Sequence, residues 1–275
     1  MLDREEYIEQ AYFFRTLGER LPENIPIQDL LAQIRDEVLS TTKLPLALDF
    51  MLSELNHTGA VGGAMARLQH YFTPFQTYLM QEAENDRGRF DMRIAIAVLR
   101  FEAEFLAESP TPQGLFLYQF ETLCRNRLSY DQGLQAIAKD PLYESHWRDW
   151  IMHVRHKIGV IDFADLVYVS SEHYVTRQRS HQKEEEHKRP ILFGEKEGKI
   201  ALANRQKNPL FLFSALQRHL RYPAVPRPER KDSTSEVLHK LVRQVERLEV
   251  RVKLVEDEHR EGTFDLSKFY KKPSG

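Results

Sequence analysis

Ile191-Leu192-Phe193-Gly194-Glu195-Lys196-Glu197-Gly198-Lys199-Ile200-Ala201-Leu202 decides whether this chain is wholly helical or mixed. Two short apolar runs flank a glycine-bracketed charged centre, the pattern of a β-hairpin turn. Upstream, Leu166-Val167-Tyr168-Val169 is β-branched and aromatic and predicts a third strand. Residues 177–189 between them carry charges of both signs and almost no apolar side chain, which predicts an exposed loop. Asn208-Pro209 then opens an amphipathic helix through Leu220. Residues 159–222 therefore read as a small α+β module.

On its N-terminal side the sequence changes period. Residues 1–158 predict helices punctuated by proline. Tyr7, Ile8, Ala11, Phe14 and Leu17 stack on one before Pro22, and Leu30, Leu31, Ile34 and Val38 on the next. Further helices are expected over 46–56, 65–84 with an interruption at Pro74, 90–108 and 115–128, with a shorter stretch to Lys139. Asp140-Pro141 predicts another helix start, with aspartate as N-cap. The small residues Ala60-Val61-Gly62-Gly63-Ala64 allow two backbones to approach closely. A phosphate loop there lacks both a preceding strand and the Gly-Lys-Ser/Thr ending. Residues 130–141 faintly echo a tetratricopeptide helix, but no second copy recurs at a fixed period.

On its C-terminal side, Pro223, Pro226 and Pro228 make residues 223–232 a stiff linker. Ser233 and Glu236 form a capping box for a helix over 233–261, about 40 Å long at 1.5 Å per residue. It carries heptads: Leu238, Val245 and Val252 at a, Leu241, Leu248 and Val255 at d. Only a facing helix can dry that seam, and valine at a with leucine at d favours two parallel strands. Arg251 at g would face Glu256 at e of the partner helix. The tail, 262–275, holds Phe264, Leu266, Phe269 and Tyr270, apolar side chains that could dock on a protein partner, the favoured reading, or fold back onto their own chain. The expected fold class is thus mainly α: an all-helical domain, an α+β module with a hairpin, and a coiled-coil helix.

Composition excludes several function classes. Forty-one per cent hydrophobic and 29% charged residues describe an ordinary globular chain, and no apolar run reaches membrane-span length. Asp3, Glu5, Glu6 and Glu9 are the reverse of a signal peptide's basic start, pointing to the cytoplasm. Cys124 is the single cysteine, so neither an intrachain disulfide nor a cysteine metal site can form, and its apolar surroundings suit a small hydrophobe. The net charge of −2 hides an asymmetry: 14 Lys/Arg against 23 Asp/Glu over 1–150, and 16 against 10 over 151–232. The basic module could meet an anion, or the two modules could attract one another.

Four constellations could carry chemistry. His146, Asp149, His153 and His156 share a helix face at 3-4-3 spacing and could ligate a divalent ion, although the stripe also flanks Trp147, Trp150, Val154 and Ile158 as an ordinary polar border. Glu54-x-x-His57 has the spacing of carboxylate-bridged di-iron helices, with Glu82, Glu102 and Glu104 as further carboxylates, but His57 next to Gly59 also suits a helix C-terminus. Two more copies of that spacing, Glu184/His187 and Glu256/His259, fall in the charged loop and the heptad helix. Asp162, Asp165 and Glu172 with Lys199 could hold Mg²⁺ and stabilise a phosphoryl transition state, or serve as turn and cap residues. Arg177, Arg179, Lys188 and Arg189 could follow a phosphate backbone, although Glu184-Glu185-Glu186 cancels much of that charge. The favoured expectation is a non-enzymatic dimeric adaptor that needs no cofactor. A metal-dependent phosphodiester hydrolase and a nucleic-acid-binding protein are the alternatives.

Overall fold

The computed structural model describes residues 2–23, 25–85, 88, 90–180 and 190–228. Among these residues it is helical throughout, with thirteen α-helices and only isolated bridges at Ile158–Ile161 and Ser171–Phe193. The mainly-α expectation holds and the hairpin does not. The heptad seam 233–261, the tail 262–275, Lys188, Arg189 and the pairs Glu184/His187 and Glu256/His259 lie outside the described residues.

The first half follows its periodicity except at Ile8, which was expected on the apolar stripe and is exposed. Helix α1 (Arg4–Arg20) places Glu5 and Glu6 in its first turn and Arg20 in its last, matching the helix dipole, and buries Phe13, Phe14 and Leu17. Helices α2 (Ile27–Glu37), α3 (Leu44–Thr58) and α4 (Val61–Arg67) follow. Gly62 is the close approach the small residues suggested: a Cβ there would meet the Gln81 backbone nitrogen at 2.9 Å. The Glu84 carboxylate accepts from Val61 N (2.5 Å) and Gly62 N (2.7 Å), taking the amides a phosphate would use. Pro74 does not kink a helix but starts α5 (Pro74–Glu84), behind a Thr73/Gln76 capping box. Helix α6 (Met92–Ala107) is capped by Asp91 and packs along α1. In α7 (Pro112–Asn126), Thr111 caps and Pro112 is the first residue, so the helix starts three residues before the expected Leu115.

Helices α8 (Tyr130–Ala138) and α9 (Ser145–Lys157) are separated by a turn rather than joined at Asp140-Pro141. Asp140 is fully buried, and its Oδ1 accepts from Leu142 N at 3.0 Å. It caps a turn, and the helix begins four residues later than its proline suggested.

The expected strands are helices. Leu166–Val169 ends α10 (Phe163–Val169), where Phe163, Leu166 and Val167 face the core at i, i+3 and i+4. A four-residue apolar run fits either period, and here the Asp162 cap and the helical spacing of core contacts prevail. Arg177 and Arg179, expected in a loop, lie on α11 (Glu172–Ser180). The hairpin turn is α12 (Glu195–Ala203), with Gly194 at its N-cap. Glu195 and Lys199 pair at i, i+4 (2.7 Å) and acidic residues fill the first turn, the signature of a helix N-terminus. Gly198 is required because a Cβ would meet Ser171 Cβ at 2.7 Å and His173 Cβ at 2.8 Å. Helix α13 (Pro209–Leu220) is capped by Asn208.

One continuous core runs from Tyr7 to Val225. Its densest part is aromatic: Phe116, Phe120, Trp147, Trp150, Phe163, Phe193 and Phe213 stand with neighbouring ring centroids 4.5–6.4 Å apart. Residues 223–228, expected as linker, lie against α7: Asn126 donates to Pro226 O (3.1 Å), beside the buried bond from Tyr222 OH to Glu121 (2.7 Å).

Candidate functional site

The carboxylates expected to do chemistry have structural duties. Asp162 accepts from Ala164 N and, at 2.6 Å, from Gln206 N, tying α10 to the turn before α13. Asp165 pairs with Arg205. Glu172 opens α11, exposed, while its backbone N donates to Phe193 O (2.9 Å). Lys199 pairs with Glu195, and Glu197 takes His219 at 3.0 Å. On α9, His146, Asp149 and His156 are exposed, His153 is half-buried, and a His156 ring nitrogen lies 2.6 Å from Met152 O. No group of three metal-ligating side chains occurs among the described residues. Glu54 pairs with Arg67 (2.5 Å) and Glu104 with Arg100 (2.8 Å), while His57 lies exposed in the last turn of α3. Arg177 and Arg179 are exposed. Cys124 is half-buried, and burial pushes its thiol up to about 12. No helix among the described residues is long and apolar enough to cross a membrane.

The structure instead gathers polar side chains in two places. The first is inside the core. Gln119 on α7 donates to Glu102 Oε1 on α6 at 2.7 Å and accepts from Tyr143 OH at 2.7 Å. Its side chain also faces Asp140, so one amide lies between two buried acids. Gln76 on α5 faces Glu102 and donates to Gln10 on α1 (3.3 Å), which in turn donates to Tyr71 O (3.1 Å). Glu102, Asp140, Gln10, Gln76 and Gln119 are all fully buried. Burial, reinforced by the charge of Asp140, pushes Glu102 up to about 8; burial also outweighs the hydrogen bonds that hold Asp140 down, and leaves it at about 6. Glu102 Oε2 and Asp140 Oδ2 have no hydrogen-bond partner among the described residues. This network can hold a proton, but at zero exposure it meets no substrate.

The second place is open. A cleft of about 470 Å³ lies between the end of α4, α5 and α8. Helix α5 supplies Pro74, Thr77, Tyr78 and Gln81, and α8 supplies Gln132, Gln135 and Ala136 with Lys139 at its C-cap. Each set follows i, i+3/i+4, i+7 spacing, so each helix turns one stripe of about two turns toward the cleft. Phe72, Thr77 and Tyr78 form a buried floor, and Tyr78 OH donates to Ser129 O (3.3 Å), fixing α8 against α5. Gln69, Gln81, Gln132, Gln135 and Lys139 are exposed at the rim. Sequence reasoning missed the cleft because uncharged amides form no chemical motif. The available signal was Gln132-x-x-Gln135-x-x-x-Lys139, a polar stripe at helical spacing.

No protein-family model, curated protein or solved structure matches this chain.

Proposed function

We propose that the chain is a non-enzymatic interaction protein, in which a helical unit binds a partner and residues 233–261 pair two copies. The observation that carries this reading is the lining of the α4/α5/α8 cleft, whose polar groups are amides and the hydroxyls of Thr77 and Tyr78 apart from Lys139. Amides donate and accept hydrogen bonds at fixed positions, which serves recognition, whereas proton transfer at neutral pH needs a carboxylate, imidazole or thiol. The duties of Asp162 and Asp165 as cap and ion-pair partner further support binding over phosphodiester hydrolysis.

The test incubates the full chain and its Glu172→Gln variant with Mg²⁺ or Mn²⁺ and a fluorescent single-stranded DNA, following both cleavage and the melting temperature. Glu172→Gln keeps the backbone bond to Phe193. The proposal expects no cleavage and no ion-dependent rise in melting temperature. Cleavage that disappears in Glu172→Gln would replace it with the hydrolase. Uncleaved DNA bound with a steep salt dependence would replace it with a nucleic-acid binder.

A further inference from the structure

Resting on the reading of the chain as an interaction protein, we infer that the α4/α5/α8 cleft holds an extended peptide segment by its main chain, with one carboxylate at the Lys139 end. The two helical stripes each span seven residue steps, from Pro74 to Gln81 and from Gln132 to Lys139, so the cleft is about 10 Å long. At about 3.3 Å per residue, an extended chain fits about three residues along it.

The walls match what such a chain presents. A peptide main chain offers a donor and an acceptor at each residue, and each glutamine amide offers two donors and an acceptor. Gln69 and Gln81 stand on the α4/α5 side, Gln132 and Gln135 on the α8 side. None of these four amide groups bonds another protein group among the described residues, whereas the buried Gln10, Gln76 and Gln119 are all bonded in the core. Ala66 and Ala136 leave the space between the walls, and the rings of Phe72 and Tyr78 make an apolar floor for one side chain. Lys139 is the cleft's only ionised side chain, exposed and without an ion-pair partner among the described residues. It sets the direction of the bound chain by attracting the carboxylate of an acidic side chain.

The experiment titrates the isotopically labelled full chain with pools of N-acetylated, C-amidated tetrapeptides ending in aspartate or in asparagine, and with maltotriose. Side-chain amide resonances of glutamine report binding. The aspartate pool should shift a subset of these resonances saturably and bind more tightly than the asparagine pool. The double variant Gln81→Ala/Gln135→Ala changes only exposed side chains, and should weaken binding about tenfold or more. Lys139→Met should abolish the preference for aspartate. Unchanged affinity in the double variant, or saturation by maltotriose without saturation by either pool, would overturn the inference. Failure to bind either pool by a chain that still forms dimers sinks the cleft assignment and leaves the interaction reading standing. Peptide cleavage during the titration, seen by mass spectrometry, sinks the non-enzymatic reading while saturable binding upholds the cleft.

Discussion

Replacing Glu102 by glutamine should flatten the dependence of stability on pH. The folded protein holds the Glu102 proton to about pH 8, whereas an ordinary glutamate releases it at 4.5. Because the folded pKa is raised, the unfolded chain loses its proton first. Stability is therefore full below 4.5, declines as pH rises, and levels off above about 8. At about 1.4 kcal/mol per pH unit the loss reaches roughly 3 kcal/mol at pH 7 and about 5 kcal/mol at its limit. Against a typical total of about 5–15 kcal/mol, that is a large share. Asp140, raised from 3.8 to about 6, falls in the same direction but in a lower window, so measurements between pH 6.5 and 8 isolate Glu102.

Other groups facing Glu102 are Tyr7 on α1, Tyr118 on α7 and Tyr143 before α9, all pushed further from neutrality by burial and by its charge. They stay protonated across this window. A glutamine at 102 can still accept from Gln119. Its new N–H₂ would lie where Oε2 now lacks a partner, at a pH-independent cost of about 1–3 kcal/mol. The two stability curves should cross between about pH 5 and 7, with the variant less stable in acid and more stable in base. Urea unfolding followed by the fluorescence of Trp147 and Trp150, from pH 5 to 9, measures both. The difference between the two curves cancels every group that the substitution leaves unchanged. A variant that keeps the wild-type slope from pH 6.5 to 8 would refute the assignment of a protonated buried acid.

Gly198→Ala should destabilise by about 1–3 kcal/mol in urea unfolding despite alanine's better helix propensity, because the added Cβ meets Ser171 and His173. A neutral or stabilised variant would mean that α11 and α12 are not so closely packed. Tyr222→Phe removes the donor to buried Glu121 and should cost about 1–3 kcal/mol by the same measurement. Leu248→Lys, which puts a charge at a d position of the heptad segment, should convert a dimer to a monomer in light scattering. A variant that remains dimeric would place self-association elsewhere.

The first half of the fold was legible because long amphipathic runs ended at prolines, where local rules and tertiary packing agree. Residues 163–203 were misread for a physical reason. Leu166–Val169 is too short to show a period, and glycine marks a turn and a close helix contact equally well. What separates them at Gly198 is Ser171, twenty-seven residues away in sequence and adjacent only in space. Asp140 before Pro141 illustrates the same limit: its capping chemistry was readable, but the turn it caps depends on where Leu142 and Gln119 sit.

The buried network was more accessible than it first looked. Ala95, Leu99, Glu102 and Leu106 fall on one helical stripe, all buried, with a carboxylate in an apolar position. Phe116, Gln119 and Leu123 repeat the pattern on the neighbouring helix with an amide in the apolar place. A polar residue at a core position must find a partner or lose its charge. Two such interruptions on adjacent helices predict one another, and here they meet at 2.7 Å. The cleft has no equivalent signal, since exposed glutamines are compatible with any solvated helix face. Burial is a constraint that hydrophobic periodicity records, whereas a solvent-facing cleft leaves its mark only once the walls are brought together.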